Sequence, residues 1–231
     1  MKKALLLAFI VLTTGCATRF RDIPAEVSII DLPEKNQEHT VELGEPLVKK
    51  VKQHQYAGIN LQNAVEGYDI WTGHTYFLKP MLLAARSEDD KWICYSADKL
   101  EARKTFVGSW MSRGGIAFNK DNETQVQFCT DRITIAPVEP KPVFYKMKIV
   151  DYSQPGFEQE LIYNGRSGNI LKFLYREYQY NRVRDAFSQE IQYDLKDGNL
   201  IGFKGVRLEV IEASNTRITY RVISSFPDPL Y

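Results

Sequence analysis

The chain has 231 residues, 44% hydrophobic and 26% charged, which fits one large or two small globular domains and excludes wholesale disorder. Lys and Arg number 30 against 29 Asp and Glu. So balanced a chain lacks the cationic surplus of a nucleic-acid binder, and beyond its first dozen residues no apolar run reaches the ~20 residues of a membrane-spanning helix.

In chain order, Met1-Lys2-Lys3 is a positive start, Ala4 to Leu12 an apolar core, and Thr13-Thr14-Gly15-Cys16 a small-residue exit. This layout predicts a secretory signal peptide over residues 1–15, too short in its apolar part to span a bilayer. Residues 16–43 carry scattered charge and read as a tether, in which Val27 to Leu32 could be an added strand. Residues 44–136 predict a first β-rich region. Val48 to Val51, Tyr68 to Trp71, Tyr76 to Leu78, Trp92 to Tyr95, Phe106 to Trp110, Gly115 to Phe118, Gln125 to Phe128 and Ile133 to Ala136 are its strand candidates. They are short, β-branched or aromatic, and bounded by turn formers. Met81 to Arg86 and Ala97 to Arg103 have the composition of short helices.

Residues 137–142, with Pro137, Pro140 and Pro142, read as an extended connector. Residues 143–231 carry the clearest pattern. Phe157 to Tyr163 and Ile170 to Tyr178 flank a glycine-containing hairpin loop over 164–169. Ile191, Tyr193 and Leu195, then Val206, Leu208 and Val210, then Ile218, Tyr220 and Val222 each alternate with polar residues, the period of half-buried antiparallel strands. The expected fold is mainly β: an antiparallel sandwich or meander of two β-rich regions with minor short helices.

Thr13-Thr14-Gly15-Cys16 resembles the lipobox of bacterial lipoproteins. The resemblance implies that Cys16 becomes the first mature residue, carrying diacylglycerol on its thiol and a further acyl chain such as palmitate on its amine. It also implies a membrane partner through these chains. Cleavage after Ala17 by an ordinary signal peptidase is the alternative. Ala17 in place of an Asp implies sorting to the outer membrane, with the body facing the periplasm. Glu160 to Gly165, Ile201 to Gly205 and Thr219 to Val222 are similar to the C-terminal parts of uncharacterised proteobacterial lipoproteins, a resemblance that carries no activity.

With Cys16 acylated or removed, Cys94 and Cys129 remain as an even pair in an oxidising compartment. If Ile93 and Tyr95 face one core, and Val126 and Phe128 do too, both thiols lie on the opposite sheet face, where a disulfide can form. His39, His54 and His74 lack metal-ligand spacing, so no metal or cofactor is expected. Gly165-Arg166-Ser167-Gly168 falls short of a nucleophile elbow and reads as a turn. Glu158 and Glu160 share a strand face, a common arrangement. Tyr175, Arg176, Tyr178, Tyr180 and Arg182 interleave aromatic and basic side chains and are the candidate partner contact. The expectation is a lipid-anchored, non-enzymatic binding or assembly module for an envelope protein or peptidoglycan. A periplasmic hydrolase with a spatially convergent site and a carrier of a small apolar ligand are the alternatives.

Overall fold

The computed structural model describes residues 20–130, 132–179 and 187–228. They form antiparallel sheets, a mainly-β fold. The strands are β1 (Arg21–Asp22), β2 (Glu26–Leu32), β3 (Glu38–Glu42), β4 (Pro46–Leu61), β5 (Val65–Asp69), β6 (His74–Leu78), β7 (Met81–Glu88), β8 (Trp92–Lys104) and β9 (Gly108–Asn119). They continue as β10 (Val126–Cys129), β11 (Thr134–Pro137), β12 (Phe144–Val150), β13 (Phe157–Ser167), β14 (Ile170–Gln179), β15 (Phe187–Asp194), β16 (Leu200–Phe203), β17 (Val206–Ala213) and β18 (Arg217–Ser224). Leu195–Asp197 is a single 3-10 turn. The two expected short helices are strands instead. Met81 to Arg86 lies in β7 and Ala97 to Arg103 in β8. Each segment is too short to hold a helix alone, and ladder pairing with neighbouring strands overrides its propensity.

The chain divides into two compact units that do not follow chain order. Of the described residues, one comprises those of 20–23 and 59–145, the other those of 24–58 and 146–228. Within residues 24–43 the added strand read at Val27 to Leu32 is β2, and residues 38–42, read as tether, form β3 of the second unit.

The first unit contains a small barrel. β5 pairs β6, β6 pairs β8, and β8, β9, β10 and β11 follow in order. A bridge between Glu66 and Glu139, with N–H···O distances of 2.6 and 2.8 Å, closes the ring. The proline-rich stretch over 137–142, read as a connector, lies within the first unit and contributes to its closing seam. Gly67 makes the seam possible, because a Cβ there would lie 2.1 Å from the Pro137 carbonyl oxygen. Inside stand Leu61, Leu78, Leu83, Leu100, Ile116 and Phe128, all essentially inaccessible. β6 and β7 pair successive parts of β8, with Lys79-Pro80 between them. Proline cannot donate to a ladder, so the interruption falls where a break is tolerated.

The second unit is a sandwich. β2, β4, β13, β14 and β15 form one sheet in that order, and β16, β17, β18 and β3 the other. Leu161, Tyr163, Leu171, Phe173 and Tyr175 from the first sheet pack with Leu208, Val210, Ile218, Tyr220 and Val222 from the second. Tyrosine hydroxyls stitch the sheets together: Tyr220 Oη donates to the Leu47 carbonyl at 2.7 Å and Tyr163 Oη to the Ser214 carbonyl at 2.5 Å. Burial pushes both phenols above their ordinary pKa, so each remains a donor through the physiological range.

Candidate functional site

In the barrel, Cys94 and Cys129 are joined by a disulfide with Cα atoms 6.0 Å apart. Cys94 pairs with Ala117, and Cys129 with Gly115, so the bond connects β8 and β10 across β9. Strands two places apart come this close only where the sheet curls. Gly115 permits the curl: a Cβ there would lie 1.9 Å from the Tyr95 carbonyl oxygen. Phe128 faces the barrel interior while the cysteines pack with Phe20, Trp92 and Ala117 in a separate buried cluster. The bond is therefore structural and enclosed.

The interleaved aromatic and basic segment does not form one surface. Tyr175 is fully buried in the sandwich, which corrects its reading as a partner contact. Its position on β14 is in phase with Leu171 and Phe173, and period two puts all three inside. Gln159 Nε2 donates to its hydroxyl at 2.6 Å, and the hydroxyl donates to Glu177. The Lys204 ammonium sits 4.3 Å from its ring centroid and 3.0 Å from Glu177. Despite burial, bonds from Tyr175 and Lys204 hold the Glu177 carboxyl below its ordinary pKa. Arg176 and Tyr178 are half-buried on the other face of β14, opposite Glu160 and Glu158. Lys49 Nζ joins those two carboxylates at 2.9 and 2.5 Å, which gives the glutamate pair an ion-pairing partner. Tyr180 and Arg182 lie outside the described residues, as do Cys16 and the rest of the leader.

The histidines stand apart, and no group of three or more metal-ligating side chains occurs among the described residues. His39 bonds the Glu34 carbonyl at 2.8 Å, whereas His74 lies edge-on to Trp110 at 5.1 Å. Gly165 and Gly168 both have positive φ, at 94° and 60°, and Arg166 donates to the Gly168 and Ala213 carbonyls at 2.6 and 2.7 Å. The Gly-Arg-Ser-Gly segment is thus backbone architecture.

The most unusual surface lies at one end of the barrel, where sequence reading placed strands. Tyr68 to Trp71 runs out of β5 into a turn, and Phe106 begins in the β8–β9 turn. His74 pairs with Lys104 across β6 and β8, so the two turns emerge side by side. Their side chains are apolar and open to solvent: Phe106 is 104% exposed, Trp71 89%, Ile70 74% and Val107 70%, and Met111 on the adjoining β9 is 63% exposed. Natural turns are ordinarily polar, and adjacent large apolar side chains exposed together mark an interaction surface.

The turn backbones are well held. Asp69 Oδ1 accepts from the Trp71 amide at 2.9 Å and Oδ2 from the Thr72 hydroxyl at 2.5 Å, while the Gly73 amide donates to the Asp69 carbonyl at 2.8 Å. The Thr72 bond leads the interactions that lower the Asp69 pKa. In the neighbouring turn the Val107 amide donates to the Lys104 carbonyl at 3.1 Å. Phe106 has φ 68°, a left-handed conformation that favours Gly or Asn and is costly for a bulky side chain. No protein-family model, curated protein or solved structure matches this chain.

Proposed function

We propose that this protein is a lipid-anchored, non-enzymatic component of the cell envelope. It docks on another envelope component through the paired turns at the end of its barrel. The observation that carries this reading is the exposed group Ile70, Trp71, Phe106 and Val107 on two adjoining, internally hydrogen-bonded turns, with Met111 exposed on the neighbouring strand β9. Aromatic and Met side chains are the types that supply most contact energy at interfaces. The anchor is supported by the charged start, apolar core and Gly15-Cys16 exit of the leader. An outer-membrane address with a periplasmic body follows from Ala17 at the sorting position.

Two measurements test the parts separately. Metabolic labelling with a radioactive fatty acid should mark the unaltered chain and be abolished by Cys16→Ala; label on the variant overturns the anchor. A photo-cross-linking residue placed at position 106 in intact cells should give adducts, with protein or with lipid, that one at exposed Leu200 does not. Equal capture at both positions overturns the docking surface.

A further inference from the structure

We infer that the component met by the paired turns is a lipid bilayer, an inference that rests on the reading of these turns as the docking surface. Because Phe20, four residues beyond Cys16, packs beside Trp92 at the far end of β8 from the turns, this is a bilayer other than the one that would hold the anchor. A protein partner is met by a patch whose central side chains are packed among neighbours and ringed by polar ones. Here the apolar side chains stand at the apices of turns, Phe106 as open as in an isolated peptide. Side chains without lateral support are best buried by a fluid medium that closes around each one. The apices carry Phe106, Val107, Ile70 and Trp71, while Tyr68 and Trp110 lie nearer the barrel at 54% and 40% exposure. Large apolar groups outermost, with a tyrosine and a tryptophan behind, match the change from acyl chains to headgroups.

Charge and hydrogen bonding point the same way. From Ala102 to Arg113 the sequence contains Arg103, Lys104 and Arg113 and no acidic residue. Lys104 is exposed at the foot of the β8–β9 turn, where it would meet anionic headgroups; Arg103 beside it is ion-paired with Glu101 at 2.7 Å. In the other turn, Asp69 is buried and engaged with Trp71 and Thr72. Several of the backbone donors that would enter the interface already have partners, which removes much of the cost of bringing polypeptide into an apolar medium.

The test uses the chain from residue 17 onward, which holds every described residue of both units and carries no acyl group. It is mixed with vesicles of phosphatidylethanolamine and phosphatidylglycerol. The unaltered chain should float with the vesicles, and its tryptophan emission should shift to shorter wavelength. A Trp71→Ser, Phe106→Asn variant, whose asparagine suits the left-handed backbone, should bind at least about tenfold more weakly with an unchanged unfolding curve. Absence of flotation by the unaltered chain, or equal flotation of the variant, overturns the bilayer as occupant. Defined protein adducts from position 106 without vesicle binding would preserve the docking surface and remove only this inference. Loss of both signals would remove the two together.

Discussion

The sandwich and the barrel both bury aromatic rings, but the most exposed rings among the described residues, Phe106 and Trp71, stand on the barrel. The sandwich buries Tyr163, Phe173, Tyr175, Tyr220 and Phe226 and joins its sheets through phenolic hydroxyls. The barrel is closed by backbone pairing and held by a disulfide, and it sends Trp71 and Phe106 outward. Among the described residues, the barrel turns thus leave two aromatic rings that the fold itself does not bury.

All three tryptophans, Trp71, Trp92 and Trp110, belong to the barrel unit, so their emission reports on it selectively. The largest expected effect is from Phe173→Ala, which removes a fully buried ring and should cost about 3–5 kcal/mol. Its loss should appear in the far-ultraviolet unfolding curve and leave the tryptophan transition nearly unchanged. Equal shifts of the two curves would break the comparison. Replacing Cys94 and Cys129 together by Ser should do the reverse. In the chain-entropy description, a 35-residue separation corresponds to about 3–4 kcal/mol, lost from the tryptophan-monitored transition.

Tyr220→Phe should cost about 1–3 kcal/mol by leaving the Leu47 carbonyl without its donor. A neutral result in denaturant titration would mean that the phenols do not stitch the sheets. Phe106→Gly should be the mildest: removal of an exposed ring from a left-handed position should be neutral or raise stability by up to about 1 kcal/mol. A clear destabilisation would show that this ring supports the barrel. Acidification sharpens the comparison locally. The Asp69 carboxyl titrates below its ordinary value, so its contribution is present above that ordinary value. It is lost as pH falls through the lowered one. Amide resonances of Trp71 and Thr72 should move in that acidic range, and Asp69→Asn should remove the titration.

The alternation of Val206, Leu208 and Val210 and of Ile218, Tyr220 and Val222 was readable because each faces one core and one exterior. The opposed faces of Cys94 and Phe128 were accessible by the same period. Val27 to Leu32 was readable as a strand, but β3 was not, since it pairs with β18 far along the chain and carries little apolar periodicity of its own. The docking turns were obscured by composition. Tyr68-Asp69-Ile70-Trp71 and Phe106 to Trp110 have strand-like aromatic content, but Asp69, Thr72 and Gly73 supply turn chemistry and Gly108 follows the second apex. Weighting those residues above the aromatics would have located the turns. Their closeness depends on the His74–Lys104 register, which local sequence does not encode.

Phe20 packs with Trp92 and both half-cystines, and Arg21 beside it pairs with Glu88 at 2.9 Å. Tension arriving along the polypeptide from its amino end would thus be taken up first by an aromatic wedge seated on a covalent crosslink. That wedge lies at the other end of β8 from the apolar turns.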